Sequence, residues 1–242
     1  MAVVCSVIFV LRPFSFSSGD QRSFVERGTV VLVDCHSRRL FLPYSTNIII
    51  ADVDETTVGK YLKINCAEDV RELGRGFQKV RPDYLTLHPP EFSLIRDIIT
   101  WLNDGDNSLN VLGETLSLVC LAVFSPGKGL CSFLFGCLNN TSQKVRIIIH
   151  SDTSACWRLN DVASRLCISG SLLKKKLKHE GVTFSQLLLD ERMAIADVLL
   201  STTQYSVNKI ADICGYASVS YFIQVFGRHF GVSPGRYLVS TP

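Results

Sequence analysis

Lys174, Lys175, Lys176 and Lys178 place four ammonium groups within five residues. Leu173 and Leu177, four positions apart in the same stretch, mark the apolar side of a helix spanning Ser169–Glu180, with Glu180 on the same line. At about 100° per residue, Ser171, Lys174, Lys175 and Lys178 then share the opposite side. Lysine donates to phosphate oxygens or to guanine O6 and N7, and a serine near a helix start reaches a base edge or a phosphate. The chemistry on offer is recognition of a polyanion, although such a charge run also serves as an ordinary solvated helix face. A second helical stretch, Ser218–Phe230, has Phe222 and Phe226 as its buried line and turns Ser220, Gln224 and Gly227 outward, with Tyr221 and Arg228 at the margin. Glutamine pairs with adenine in bidentate fashion, and arginine suits a phosphate.

These two stretches belong to a duplication. Val207-Asn208-Lys209-Ile210-Ala211 repeats Leu159-Asn160-Asp161-Val162-Ala163 at an offset of 48 residues. Phe222/Phe226 repeats Leu173/Leu177 at 49, and Gly231-Val232-Ser233 echoes Gly181-Val182-Thr183 at 50. Ser169, Thr183, Ser218 and Ser233 stand where helices begin. Gln186 completes a capping box with Thr183, and a proline follows Ser233 at the first helical position. The expected helices are Ser169–Glu180, Thr183–Leu200, Ser218–Phe230 and Pro234–Val239, with shorter ones at Leu159–Arg165 and Val207–Ile213. Each short helix and its successor form a helix-turn-helix, about residues 159–180 and 207–230, and the long Thr183–Leu200 helix acts as the strut between them. Gly215 fits a tight turn that needs φ > 0, and Cys167 holds that place in the first copy.

The first half reads differently. Val3–Val10, Thr29–Val33 and Asn47–Ile50 are β-branched runs, with Gly19-Asp20, Arg27-Gly28 and Pro43 as turns. Residues 52–83 give a mixed signal that assigns no element. Pro89-Pro90 precedes a helix carrying Phe92, Ile95, Ile98, Ile99 and Leu102, which Asn103 to Asn107 end. A second helix runs Leu109–Phe124 and stops at Ser125-Pro126-Gly127; a third covers Leu130–Leu138, and residues 139–142 look like a linker. The expected architecture is an α+β N-terminal domain (a small β-sheet followed by helices, residues 1–140). An all-α C-terminal domain (145–242) follows, with two helix-turn-helix subdomains joined by a long helix.

Composition bounds the partners. Apolar residues make up 47% and charged residues 19%, as in a globular chain. No window supplies the roughly 18 uninterrupted apolar residues of a membrane helix, and Val3–Leu11 lacks the flanks of a signal peptide. A cytoplasmic protein with no membrane partner is expected. Net charge is +3; residues 151–242 hold ten Lys/Arg against seven Asp/Glu, while the first 150 hold fifteen of each. All the excess lies in the repeated region. The nine cysteines form no C-x-x-C pair and join no histidine at zinc-ligand spacing, so free thiols in a reducing compartment are expected and no metal site. His36 and His88 stand alone. No Gly-rich phosphate loop, nucleophile elbow or HExxH occurs, so no catalytic residue and no cofactor is assigned.

The run Ile210-Ala211-Asp212-Ile213-Cys214-Gly215-Tyr216-Ala217-Ser218-Val219-Ser220-Tyr221-Phe222, followed by Phe226, Phe230-Gly231-Val232-Ser233-Pro234 and Tyr237, resembles the signature of the AraC/XylS family of bacterial transcription regulators. The resemblance covers about residues 145–240. It implies recognition helices in successive major grooves of double-stranded promoter DNA and, in most members, transcription activation with RNA polymerase as a partner. It also implies an N-terminal domain that senses a small molecule or forms a homodimer. By that resemblance Ser171, Lys174, Lys175, Ser220, Tyr221 and Gln224 fall at base-contacting positions, beside Lys178 and Arg228. Arginine often stands in the family where this chain has Lys175 and Gln224. Val4 to Phe9 and Ser171 to Lys178 further resemble an enterobacterial branch that controls acid-resistance, anaerobic, stress or virulence genes. Two alternatives remain at this point: a DNA-repair methyltransferase fused to the same DNA-binding domain, which needs a zinc-activated thiolate that Cys35 and Cys66 do not obviously supply, and a repeat that binds protein instead of DNA.

Overall fold

β-Branched runs early in the chain and capped amphipathic segments late in it give two different kinds of unit. The computed structural model describes residues 2–18, 21–65, 69–70, 84–88, 92–104, 111–125 and 129–240. Met1–Cys66 with Gly76–Asn139 form one unit, and Ala67–Arg75 with Asn140–Pro242 form the other.

The first unit is α+β. Its central strand β1 (Val3–Val10) pairs antiparallel with β4 (Val30–Asp34) and β5 (Ile48–Asp54), and β6 (Tyr84–Leu87) extends the sheet beside β4, in the order β5-β1-β4-β6. Val7 lies opposite Leu32 on one side and Ala51 on the other. β2 (Phe14–Ser18) and β3 (Gln21–Val25) form a separate hairpin. Every residue from Val4 to Val10 is buried. Neighbouring strand residues point to opposite faces, so both faces of the sheet are covered. On one face Ile8, Val10, Val31 and Val33 join Phe14, Phe16 and Phe41 in a single apolar cluster. Helices α2 (Phe92–Asn103) and α4 (Leu130–Cys137) also pack on β1. α1 (Glu55–Asn65) follows β5 directly, where Asp54 Oδ1 accepts the Thr57 N–H at 2.9 Å, and α3 (Val111–Ala122) packs against α1 and α2.

Several sequence readings change here. α1, β2, β3 and β6 carry no pattern that announced them: α1 buries Glu55, Thr57 and Gly59 among its apolar residues, which blurs its period. Pro43 lies within a 3-10 helix, Leu42–Asn47, instead of in a simple turn, whereas Gly28 does take a positive φ of 85°. The proposed turn at Gly19-Asp20, the prolines Pro89-Pro90, residues 105–107, the helix start at Leu109 and the stop at Pro126-Gly127 lie outside the described residues. Cys5, Cys35, Cys120, Cys137, Cys156, Cys167 and Cys214 are not disulfide-bonded. Cys131, however, is disulfide-bonded, which corrects the expectation of free thiols throughout. Sequence spacing cannot reveal such a bond, because only the folded chain brings distant sulfurs together.

The second unit is all-helical: α5 (Thr141–Ser151), α6 (Leu159–Arg165), α7 (Gly170–His179), α8 (Phe184–Thr202), α9 (Val207–Ile213), α10 (Val219–Phe230) and α11 (Pro234–Ser240). α6–α7 and α9–α10 are the two helix-turn-helix units, and the nineteen-residue α8 joins them. The boundary between the two units falls within the stretch read as a linker, residues 139–142, whose last two residues already start α5. Its first backbone N–H groups, at Thr141 and Ser142, donate to Glu180 at 2.7 and 2.8 Å. Glu180 thus leaves the apolar line assigned to it and caps α5 from the end of α7, where a carboxylate complements a helix N-terminus. These bonds hold its carboxyl below the usual range, although burial alone would raise it. α5 is anchored to α8 by Arg146, which reaches Asp190 at 2.9 Å and the buried Glu191 at 3.1 Å.

Candidate nucleic-acid interface

Each helix-turn-helix is built from local signals. Ser169 Oγ accepts the Leu172 N–H at the start of α7, and Ser218 Oγ accepts the Tyr221 N–H at the start of α10. Thr183 likewise caps α8 and Ser206, which the sequence reading missed, caps α9. Only half of the expected capping box forms at Thr183, because the Gln186 side chain donates to Asp190 at 2.7 Å. The turns before the two second helices take left-handed backbone at equivalent places, Cys167 with φ 55° and Gly215 with φ 75°. Cys167 is the one non-glycine residue with positive φ among the described residues. Gly170 opens α7 without a Cβ because one there would overlap Asn160 Oδ1 at the start of α6.

Burial then divides each second helix into two sides. α7 buries Leu173 and Leu177 and exposes Ser171, Lys174, Lys175 and Lys178. α10 buries Phe222 and Phe226 and exposes Ser220, Tyr221, Gln224 and Arg228. The eight sequence-assigned residues therefore all lie at the surface, four on each helix. None of the lysines on α7 is paired with a carboxylate among the described residues. Phe222 and Phe226 join a cluster of tilted and edge-on rings with Tyr216, Phe230 and Tyr237, and the Tyr237 hydroxyl donates to Asp197 of α8 at 2.7 Å. That cluster fixes the rotation of α10 about its own axis, and with it the direction of the exposed side chains.

One candidate escaped the sequence reading. At the 49-residue offset Ile223 takes the place of Lys174, and its side chain is 39% exposed on α10. Sequence spacing assigns Ile223 no role, although the repeat register aligns it with a lysine. Beside α10 a cleft is lined by Tyr221, Val225 and Arg228 from that helix and by Ser185, Leu188 and Arg192 from α8.

Comparison with known proteins adds two family matches. Residues 2–138 match the N-terminal domain of the helix-turn-helix-type transcriptional regulator AppY, and residues 162–239 match a helix-turn-helix domain. The chain is 38% identical over 236 residues to the helix-turn-helix-type transcriptional regulator YdeO of Escherichia coli K12, covering 98% of this chain and 90% of the relative. It is 46% identical over 91 residues to the porin thermoregulatory protein EnvY of the same organism, 38% of this chain and 36% of that one. A crystal structure of a DNA-binding transcriptional dual regulator from Escherichia coli K-12 aligns with 43% of this chain and 93% of its own, at 40% identity and a TM-score of 0.42.

Proposed function

The chain belongs to the AraC-type helix-turn-helix transcription regulators with an AppY-type N-terminal domain, and we propose that it grips promoter DNA through the exposed sides of α7 and α10. The carrying observation is the matched division of those two helices, each anchored by a buried apolar pair and each leaving its assigned polar or basic residues exposed. Lys174, Lys175 and Lys178 neutralise phosphates or donate to guanine, and Ser171 reaches a base edge or a phosphate near the helix start. On α10, Gln224 pairs with adenine, Arg228 holds a phosphate, Ser220 and Tyr221 contact the groove, and Ile223 meets a thymine methyl. The lysine-rich helix supplies most of the electrostatic attraction, while α10 discriminates by shape and apolar contact.

In this reading the two helices enter successive major grooves on one face of the duplex, and the chain activates genes of a stress, acid-resistance or virulence type in the cytoplasm, with RNA polymerase as a partner. It acts by binding, not by catalysis. Residues 1–140 serve regulation or homodimer formation. The exposed apolar side chains of α3, Val111, Leu112 and Val119, support a self-association surface, since isolated monomers seldom leave such a row open. Footprinting on genomic fragments at graded salt tests the reading. Protected sites whose occupancy falls steeply with salt are expected, because phosphate neutralisation releases counterions. No protected site at any salt would overturn it.

A further inference from the structure

Two helix-turn-helix units on one strut can read two grooves together only if something fixes the angle and distance between them. The second unit packs on α8 through Met193, Ala196 and Leu200, so the relative rotation of the two units depends on what ties the first unit to that same assembly. Arg192, on α8, touches both units at once. Its Nη2 donates to the Ala155 carbonyl at 3.1 Å, in the loop that leads into α6. Its guanidinium carbon lies 5.3 Å from the ring centre of Tyr216, in the turn between α9 and α10. A guanidinium over an aromatic face is attracted by the ring quadrupole.

That loop and that turn also meet each other directly. Thr153 Oγ1 donates to the Ile213 carbonyl at 3.2 Å. A Cβ on Gly215 would stand 2.6 Å from both the Thr153 carbonyl oxygen and Arg192 Nη2 and 3.0 Å from the Ser154 carbonyl oxygen. From this junction contacts run to the recognition helix of the second unit and to α6, the first helix of the other unit. Trp157 ties the loop to itself through Nε1 and the Asp152 carbonyl, at 2.7 Å, and Arg165 of α6 stacks over its ring at 4.7 Å. On the other side the Tyr216 ring is 5.3 Å from Phe222 and 6.1 Å from Tyr221 of α10.

Arg192 has no ion pair with a carboxylate among the described residues, and its Nε is buried without a hydrogen-bond partner there. A buried donor left unpaired costs stability, and an apolar side chain of similar reach would avoid that cost. What an apolar chain cannot supply is a directed bond to one unit together with a cation over the ring of the other. We propose that Arg192 is a positioning residue that locks the relative rotation of the two recognition helices and thereby sets the half-site spacing the protein accepts. The proposal rests on the DNA-binding reading above.

The test compares the full chain, Arg192→Met and Arg192→Lys on the footprinted site and on versions with one base pair inserted or deleted between half-sites. One base pair displaces the second half-site by about 3.4 Å and rotates it by about 35°, one step of a turn of 10–10.5 base pairs. Affinity is read by fluorescence anisotropy and folding by circular dichroism. The wild-type chain should lose about a hundredfold in affinity on the altered spacings, as the second helix loses its base contacts. Arg192→Met should bind the native site about tenfold more weakly, and the further loss on altered spacing should shrink below about tenfold. Arg192→Lys keeps the charge but not the planar fork, so its spacing penalty should also shrink. It carries the test if Arg192→Met does not fold. A folded variant that keeps the wild-type spacing penalty overturns the proposal, even if its overall affinity drops. Failure of the wild-type chain to show any specific site overturns the DNA-binding reading and, with it, this one.

Discussion

Alanine at Gly215 should be among the most damaging single methyl additions in the second unit. Gly215 has a φ of 75°, where an L-residue costs about 1–2 kcal/mol. The added Cβ would also press on two backbone carbonyl oxygens, at 2.6 and 3.0 Å, neither of which can swing away as a side chain would. Overpacking of this kind costs about 1–3 kcal/mol more, giving roughly 2–5 kcal/mol in all. Gly231 is the internal control. Its φ is 78°, yet nothing lies within 4 Å of an added Cβ. Gly231→Ala should therefore lose only the conformational part, offset by a less flexible unfolded chain, for a net of roughly 1 kcal/mol. The equivalent position in the first copy, Cys167 with φ 55°, offers the reverse experiment: Cys167→Gly relieves left-handed strain and should be neutral or stabilising by up to about 1 kcal/mol. Urea unfolding of the full chain, followed by helical circular dichroism, measures all three. Equal losses for Gly215→Ala and Gly231→Ala would refute the close packing of the Thr153–Ser154 loop on the Gly215 turn.

The double variant Lys174→Ala/Lys175→Ala should stay folded and lose about ten- to a thousandfold in specific affinity, with the salt slope reduced by about 0.9 for each phosphate contact removed. Unchanged affinity and slope would take α7 out of the interface. Glu180 has a depressed carboxyl pKa, so its stabilisation of α5 is present above the unfolded value of 4.5 and is lost as pH falls through the lower folded value. Hydrogen exchange at the Thr141 and Ser142 amides should therefore speed up at acid pH relative to neighbouring α5 amides, and a flat ratio would contradict the capping role. Leu112→Glu on the exposed face of α3 should shift a self-associated species towards monomer in sedimentation velocity without lowering the melting temperature of the chain. An unchanged distribution would remove α3 from the self-association surface.

The repeated half was the more legible because its signals are local. α6 and α9 have the bounds that the repeat indicated, and Ser169, Thr183 and Ser218 cap the helices that follow them, since a hydroxyl two or three residues from an unsatisfied N–H acts within one turn. The left-handed turn was readable at Gly215 and, by register alone, at Cys167. α5 was not readable. Ile147, Ile148 and Ile149 are consecutive β-branched residues, all buried, so neither propensity nor a helical period pointed to a helix.

The sequence by itself determined the duplication, the two apolar pairs that orient α7 and α10, and the polar residues those pairs leave outside. Helical geometry alone turns spacings of three and four into faces. The tertiary structure decided what depends on residues far apart in the chain. It placed Glu180 on the first amides of α5, gave Cys131 a disulfide, and seated Arg192 between the Ala155 carbonyl and the Tyr216 ring. A local pattern can state which way a side chain faces, but what it meets there depends on chain closure over tens of residues, which no short-range spacing encodes.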